Sequence, residues 1–217
     1  MILRFTKMHG AGNDFIVIDT LGPARHFDPD VLGKSGRRQL ADRHTGIGCD
    51  QLLVLNAPRH DDADVWVRIF NSDGSEAAQC GNGMRCIARF LADKVPGQTQ
   101  WKLDSEAGLM KAQTEQDGSV SVDMGPPDTG PEATGCKTEV PVNLNNESVV
   151  FSLVSMGNPH AVIQVDDIAT APVSELGPAL QQYFDHGVNV GFAQILDPNR
   201  LALRVWERGA GETRACG

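Results

Sequence analysis

The chain has 217 residues, 41% of them hydrophobic, enough to bury a core and to divide into two modest domains. Nineteen basic residues against 28 acidic ones give a formal charge of -9, which disfavours nucleic acid or an anionic membrane as the main partner and points to a small molecule. The opening MILRFTKMHGAGNDF has no basic segment followed by an apolar one and a small-residue cleavage site, and no run approaches the roughly 20 apolar residues of a membrane span, so no membrane partner and a cytoplasmic location are expected.

Short strand-like runs separated by Gly, Pro and Asp, with few helical stretches, predict an α+β fold. Residues 15–18 and 51–55 read as buried strands, and 65–70 as another short one. Next comes NSDGSEAAQCGNG, where Cys80 stands before Gly-Asn-Gly and opens a helical pattern. Met84, Ile87, Ala88 and Leu91 form one apolar stripe, Cys86 and Phe90 add a second, and only Arg85 and Arg89 mark a polar edge. A helix apolar nearly all round is normally enclosed, so a sheet wrapped around a central helix is expected. The N–H groups of Gly81, Asn82 and Gly83 at its start can hold an anion such as a carboxylate, and the helix dipole lowers the pKa of a thiol placed there. Residues 109–114 and 120–124 flank Asp117-Gly118 as a hairpin. The stretch 125–135, GPPDTGPEATG, has the Pro and Gly density of a connection. It divides the chain into domains 1–125 and 126–217.

The five cysteines, Cys49, Cys80, Cys86, Cys136 and Cys216, are an odd number for a reducing compartment, so no disulfide framework is expected. Cys80 and Cys86 do not have the C-x-x-C spacing of a zinc ribbon. His9, His26, His44, His60 and His186 show no ligand spacing and read as surface or structural residues. No metal is expected.

A lone cysteine is usually a small buried hydrophobe, but an internal repeat separates Cys80 from that reading. Arg68-Ile69-Phe70-Asn71 matches Arg204-Val205-Trp206-Glu207, Glu76 matches Glu212, and Cys80-Gly81 matches Cys216-Gly217, all at one offset without a gap. GNDFIVID loosely matches GNPHAVIQVD upstream, and GIGCDQ loosely matches GVNVGF. Two copies of a half-domain usually pack about a pseudo-twofold axis, which is expected to set Cys80 opposite Cys216. Two thiols on opposite sides of one bound carbon are equipment for inverting a stereocentre: one removes the α-proton and the other returns a proton to the opposite face.

The blocks KMHGAGNDFIVID, RHTGIGCDQLL, RIFNSDGSEAAQCGNGMRC, VSMGNPHAV, GVNVGF and ERGAGETRACG resemble, in order and nearly end to end, those of the diaminopimelate epimerase family of cofactor-independent, two-cysteine amino-acid racemases. The resemblance implies two pseudo-symmetric domains, each a mixed β-barrel-like sheet around a central helix, and a homodimer in many members. It implies interconversion of LL- and meso-diaminopimelate, a small-molecule substrate on the lysine and cell-wall precursor pathway, with no pyridoxal phosphate or other cofactor. It places Cys80 and Cys216 as the acid/base pair, with the backbone of Gly81, Asn82 and Gly217 at the reacting carboxylate. It places Asn13, Gln51, Asn71, Asn158 and Asn189 along the substrate, Arg208 at the distal carboxylate, and Glu207 and His160 near the thiols. Neutral amides suit a zwitterion, since one side chain accepts from ammonium and donates to carboxylate, and Arg208 offers a planar fork. Each asparagine taken alone serves equally as a turn or cap residue.

Two alternatives share these features. A proline- or hydroxyproline-type racemase uses the same two-thiol logic but has no distal amino-acid head group to bind, and a catalytically silent binding domain would not need both thiols. In the first repeat an apolar helix follows the thiol, whereas the second repeat stops one residue after Cys216. The second domain is therefore expected to be incomplete.

Overall fold

The computed structural model describes residues 3–22, 27–135, 142–144, 147–214 and 216. His26, Cys136 and Gly217 lie outside the described residues. The chain separates into two compact units, Met1–Gly125 and Pro126–Cys216.

The first unit runs β1 (Thr6–Gly10), β2 (Asn13–Asp19), α1 (Pro29–Ala41), β3 (Gln51–Asn56), β4 (Val65–Asn71), β5 (Glu76–Ala77), α2 (Gly81–Lys94), β6 (Gln100–Ser105), β7 (Gly108–Thr114) and β8 (Val120–Asp123). These strands form one sheet in the order β1-β2-β3-β4-β6-β7-β8, with β5 attached to β4. The β2–β3 and β4–β6 pairs are parallel and the others antiparallel. α2 touches β1 and β2 near one edge of the sheet and β6, β7 and β8 near the other, so the sheet curls around the helix. Met84, Ile87 and Ala88 of α2 are wholly buried against Phe15, Leu53, Val67, Ile69 and Leu103. Each of the larger side chains contributes about 1.5–3 kcal/mol of hydrophobic burial. Ile16, Ile18, Leu52, Val54 and Phe70 point to the opposite face of the sheet and cluster with Ala41 at the end of α1.

Two backbone features bring β2 to the start of α2. The β1–β2 turn has positive φ at both Ala11 (53°) and Gly12 (88°), as the two-residue turn that matches strand twist requires. Ala11 is the only non-glycine with positive φ among the described residues. Gly10 lies directly against the first turn of α2: a Cβ there would sit 3.1 Å from the Asn82 carbonyl oxygen and 3.4 Å from the Cys86 Sγ.

In the second unit, α3 (Pro131–Thr134) lies before β9 (Val142–Leu144) and β10 (Glu147–Val149), which pair as a hairpin. β11 (Ser152–Ser155), β12 (Pro159–Gln164), α4 (Val173–Tyr183), β13 (Asn189–Asp197), β14 (Arg200–Glu207) and β15 (Gly211–Thr213) follow. The sheet order β11-β12-β13-β14-β15 repeats β1-β2-β3-β4-β5, including the one parallel pair with a helix in its connection. The registers repeat as well. Ile69 pairs Ala77 and Phe70 pairs Glu76, as Val205 pairs Thr213 and Trp206 pairs Glu212. Arg68 clasps Glu76 and Arg204 clasps Glu212, each through Nε and a second guanidinium nitrogen at 2.7–3.1 Å.

α4 occupies the place of α1, packing Val173 and Leu180 on Ala161, Ile163, Val190 and Phe192. The other face of this sheet differs from its counterpart. Val65 and Val67, buried under α2 in the first unit, correspond to Leu201 and Leu203, which are 65% and 51% exposed. The expectation of a sheet around a central helix therefore holds in the first unit, while among the described residues of the second the positions equivalent to those under α2 are exposed.

Gly10→Val is expected to lower stability by about 1–3 kcal/mol, the usual cost of overpacking, because it forces β1 away from the α2 N-terminus. Denaturant unfolding followed by far-UV circular dichroism measures this.

Candidate active site

Strand direction gathers the predicted polar residues of the first unit at one end of its sheet. Asn13 and Gln51 open the parallel strands β2 and β3, and Asn71 closes the antiparallel β4 opposite Gln51. All three side chains are buried, as is Asn82. Cys80 is the N-cap of α2, with extended backbone (φ -154°, ψ 105°). Its Sγ accepts the Gly83 N–H at 3.3 Å and lies 3.8 Å from the Asn13 Oδ1, towards which the thiol donates. Serine, threonine or aspartate usually caps a helix this way; here the cap is a thiol, and the helix dipole favours its ionised form.

The amides are held individually. Gln51 Nε2 donates to Asn71 Oδ1 at 2.9 Å, and Asn71 Nδ2 donates to Ser75 Oγ at 3.1 Å. The Gln51 Oε1 is buried and has no protein donor, an acceptor suited to a ligand N–H because a buried polar atom left unpaired is costly. Asn13 Nδ2 donates to Asp50 Oδ2 at 2.9 Å, and Arg43 donates to Asp50 Oδ1 at 2.7 Å. Asp50 is absent from the residues predicted from sequence. The signal for it is an acidic side chain immediately before β3, whose residues 51–55 are all buried, a place where a carboxylate needs a partner. Next to it, burial pushes the Asp14 carboxyl up, but hydrogen bonds from Arg43 and Lys7 outweigh this and hold it well below the usual range.

The second unit repeats the arrangement with different side chains. Asn189 stands where Gln51 stands, Glu207 where Asn71 stands, and Asn158 where Asn13 stands, two residues before the strand position paired with Asn189. Asn189 Oδ1 accepts the Arg208 backbone N–H at 2.9 Å, and Arg208 Nη1 donates to the His186 carbonyl at 2.8 Å. Glu207 Oε1 accepts from Thr213 Oγ1. His160 Nε2 lies 3.0 Å from Asn158 Oδ1. Burial depresses the His160 pKa from its ordinary 6.5, so the ring is neutral at pH 7. Cys216 is half-buried.

The remaining described thiols differ in kind. Burial pushes Cys49 up to about 12 and Cys86 up to about 11, and both side chains are enclosed. His9, His44, His60 and His186 are exposed. No cluster of His, Cys, Asp or Glu among the described residues could hold a metal ion, and no helix is long and apolar enough to cross a membrane. A polar groove of about 790 Å³, lined by Asp61, Asp62, Lys102, Lys111 and Asp123 among others, lies over the exposed face of β6–β8 and includes none of the predicted site residues.

A family model for diaminopimelate epimerase matches residues 5–129 and 152–217. The chain belongs to the diaminopimelate epimerase family. It is 50% identical over 225 aligned residues to the diaminopimelate epimerase of Pseudomonas savastanoi pv. phaseolicola, an alignment covering all of this chain and 80% of that protein. Among solved structures it is similar to a probable proline racemase from Agrobacterium radiobacter (TM-score 0.76, 20% identity, 99% of this chain and 73% of that one). It is also similar to a hydroxyproline epimerase from Agrobacterium vitis (TM-score 0.70, 19% identity, 98% and 72%). At these identities the two likenesses establish a shared fold, while the substrate family follows from the sequence match. Members of this family are isomerases, and the chain is a cofactor-independent epimerase by that membership.

Two measurements check the site. Iodoacetamide at neutral pH is expected to label Cys80 and Cys216 and to spare Cys49 and Cys86 until the protein unfolds, as read by peptide mass spectrometry. His160 is expected to destabilise the fold on acidification. Its folded pKa lies below 6.5, so its contribution is intact above pH 6.5 and is lost as pH falls through the folded value. His160→Gln should flatten the pH dependence of the unfolding midpoint below pH 6.5.

Proposed function

We propose that the chain interconverts LL- and meso-diaminopimelate by two-base proton transfer at Cα, with Cys80 and Cys216 as the acid/base pair. The observation that carries this reading is a thiol capping a buried helix, in contact with a buried asparagine, in a chain 50% identical to a diaminopimelate epimerase. One cysteine, as thiolate, takes the α-proton and becomes a thiol. The other, as thiol, gives a proton to the opposite face and becomes the thiolate. The electron pair left by the first transfer delocalises into the substrate carboxylate, where N–H groups at the α2 N-terminus, from Gly81 and Asn82, offset the developing charge.

In the same reading Asn13, Gln51, Asn71, Asn158 and Asn189 orient the zwitterionic head group, and the unpartnered Gln51 oxygen accepts from its ammonium. Arg208 takes the distal carboxylate, and Glu207 and His160 support the thiols. Residues 1–125 and 126–217 are the two halves of the enzyme, a division supported by the repeated strand order and registers. The reaction belongs to lysine and peptidoglycan-precursor synthesis, and the enzyme acts as a cytoplasmic homodimer without pyridoxal phosphate.

Incubation with LL-diaminopimelate in D2O tests the reading. Diaminopimelate should gain deuterium at Cα while optical rotation changes, and a chain that merely binds the compound causes neither. Cys80→Ser and Cys216→Ser should each reduce turnover by about 10²–10⁴-fold, since a hydroxyl is a far poorer proton shuttle. Arg208→Lys should lower kcat/KM for diaminopimelate roughly 10-fold or more through loss of the bidentate contact; an unchanged value removes Arg208 from the distal site.

A further inference from the structure

Asn13 touches two groups of opposite need. Its Nδ2 meets the Asp50 carboxylate at 2.9 Å, and its Oδ1 faces the Cys80 Sγ at 3.8 Å. A primary amide turned by 180° about its terminal bond exchanges nitrogen and oxygen at almost no steric cost, so packing alone does not decide which end meets the thiol. A carboxylate decides it, because it only accepts.

We propose that Asp50 is a positioning residue for Cys80: by accepting from the Asn13 amide nitrogen, it fixes the amide so that the oxygen faces the thiol. This rests on the reading of Cys80 as an acid/base residue. An oxygen facing Sγ accepts from a thiol and repels a thiolate, whereas a nitrogen donates to a thiolate. The Asp50–Asn13 pair thus opposes the N–H of Gly83 and the helix dipole, and biases resting Cys80 towards the protonated form that donates.

The geometry holds Asp50 itself firmly. Its Oδ2 also accepts the Asp14 backbone N–H at 2.9 Å, its backbone N–H donates to Asp14 Oδ1 at 3.1 Å, and Arg43 bridges both carboxylates. The charged groups around this chain of contacts are Asp14, Lys7 and Arg43 on the strand side, and Arg85, bonded to Asn82, in the first turns of α2. Asp50→Asn retains the arrangement: an amide oxygen at the Oδ2 position satisfies two donors, Asn13 Nδ2 and Asp14 N–H, and the half-exposed Arg43 keeps Asp14 as its partner.

The test is the pH dependence of Cys80 alkylation by iodoacetamide, read by mass spectrometry on the folded enzyme, alongside steady-state kinetics. Asp50→Ala should move the alkylation midpoint down by about one unit, since the freed amide turns its nitrogen to the thiolate, and should lower kcat/KM by about 10–100-fold. Asp50→Asn should stay within about threefold of wild type in rate and keep the wild-type midpoint. In an Asn13→Leu background, Asp50→Ala should have no further effect on the midpoint. Should Asp50→Ala fail to fold, Asp50→Ser, too short to reach Asn13, takes its place. Equal shifts in Asp50→Ala and Asp50→Asn would reduce Asp50 to a nearby charge and overturn the proposal, as would an unmoved midpoint in Asp50→Ala. Alkylation is read without turnover, so a wild-type protein inactive on diaminopimelate defeats the functional reading and leaves this test standing.

Discussion

Burying the beginning of a helix is the constraint around which the first unit is arranged. The first N–H groups of any α-helix have no intrahelical acceptor, and away from water each needs a partner or costs about 1–3 kcal/mol. α2 is enclosed by the curled sheet because its side chains are apolar nearly all round, and its first residues Gly81, Asn82 and Gly83 are buried with it. A cysteine cap satisfies one of those groups and leaves a polarised region suited to an anion. The amides of Asn13, Gln51 and Asn71 are buried at the same end because β2 and β3 begin there and β4 ends there. The polar centre thus follows from the direction of three strands and the position of one helix terminus.

The second unit shows how far this arrangement is a property of the backbone. Its strand order and registers match the first, yet the side chains at equivalent positions differ in kind. Gln51, Asn71 and Phe15 are matched by Asn189, Glu207 and His160. Gln51 and Asn189 are both amides, but Glu207 replaces the Asn71 amide and His160 replaces Phe15, so the second half adds two titratable groups, one of them a histidine kept neutral by burial. The two asparagines are also engaged differently: Asn13 is held by its nitrogen on a carboxylate and Asn158 by its oxygen on an imidazole. Equivalent residues therefore present opposite ends of the same functional group.

Much of this was legible in the sequence where one period dominated. The apolar runs at 15–18, 51–55 and 65–70 lie within β2, β3 and β4, and the two stripes after Cys80 specify α2. The Asp117-Gly118 hairpin forms β7 and β8 with Gly118 at positive φ. α1 was illegible because Gly33 and Gly36 interrupt it and only Pro29 and Ala41 are buried. α4 was obscured by Pro178 inside it. β1 has an exposed edge pattern that local sequence does not distinguish from a loop. In the candidate site, the repeat singles out the two thiols, but it does not single out Asp50, whose contact with Asn13 is made across a parallel strand pair. Spacing along a chain carries no signal for such a pair.

The bidentate clasps of Arg68 on Glu76 and Arg204 on Glu212 span equal lengths of chain, and each precedes its thiol by the same number of residues. By contrast, the connection from β2 to β3 is longer than that from β12 to β13, although both join equivalent strands. The molecule therefore contains its own comparison of where length is free and where it is fixed. Chain can be added or removed between the parallel strands within the helical part of the connection, ahead of Arg43 and Asp50 in the first unit, where a helix on the outer face absorbs the difference. Between Glu76 and Cys80, one inserted residue would rotate the cysteine off the α2 cap and carry it away from the Gly83 N–H. Engineering by insertion, for a label or a fused domain, belongs in the first kind of segment and would be lethal to the site in the second.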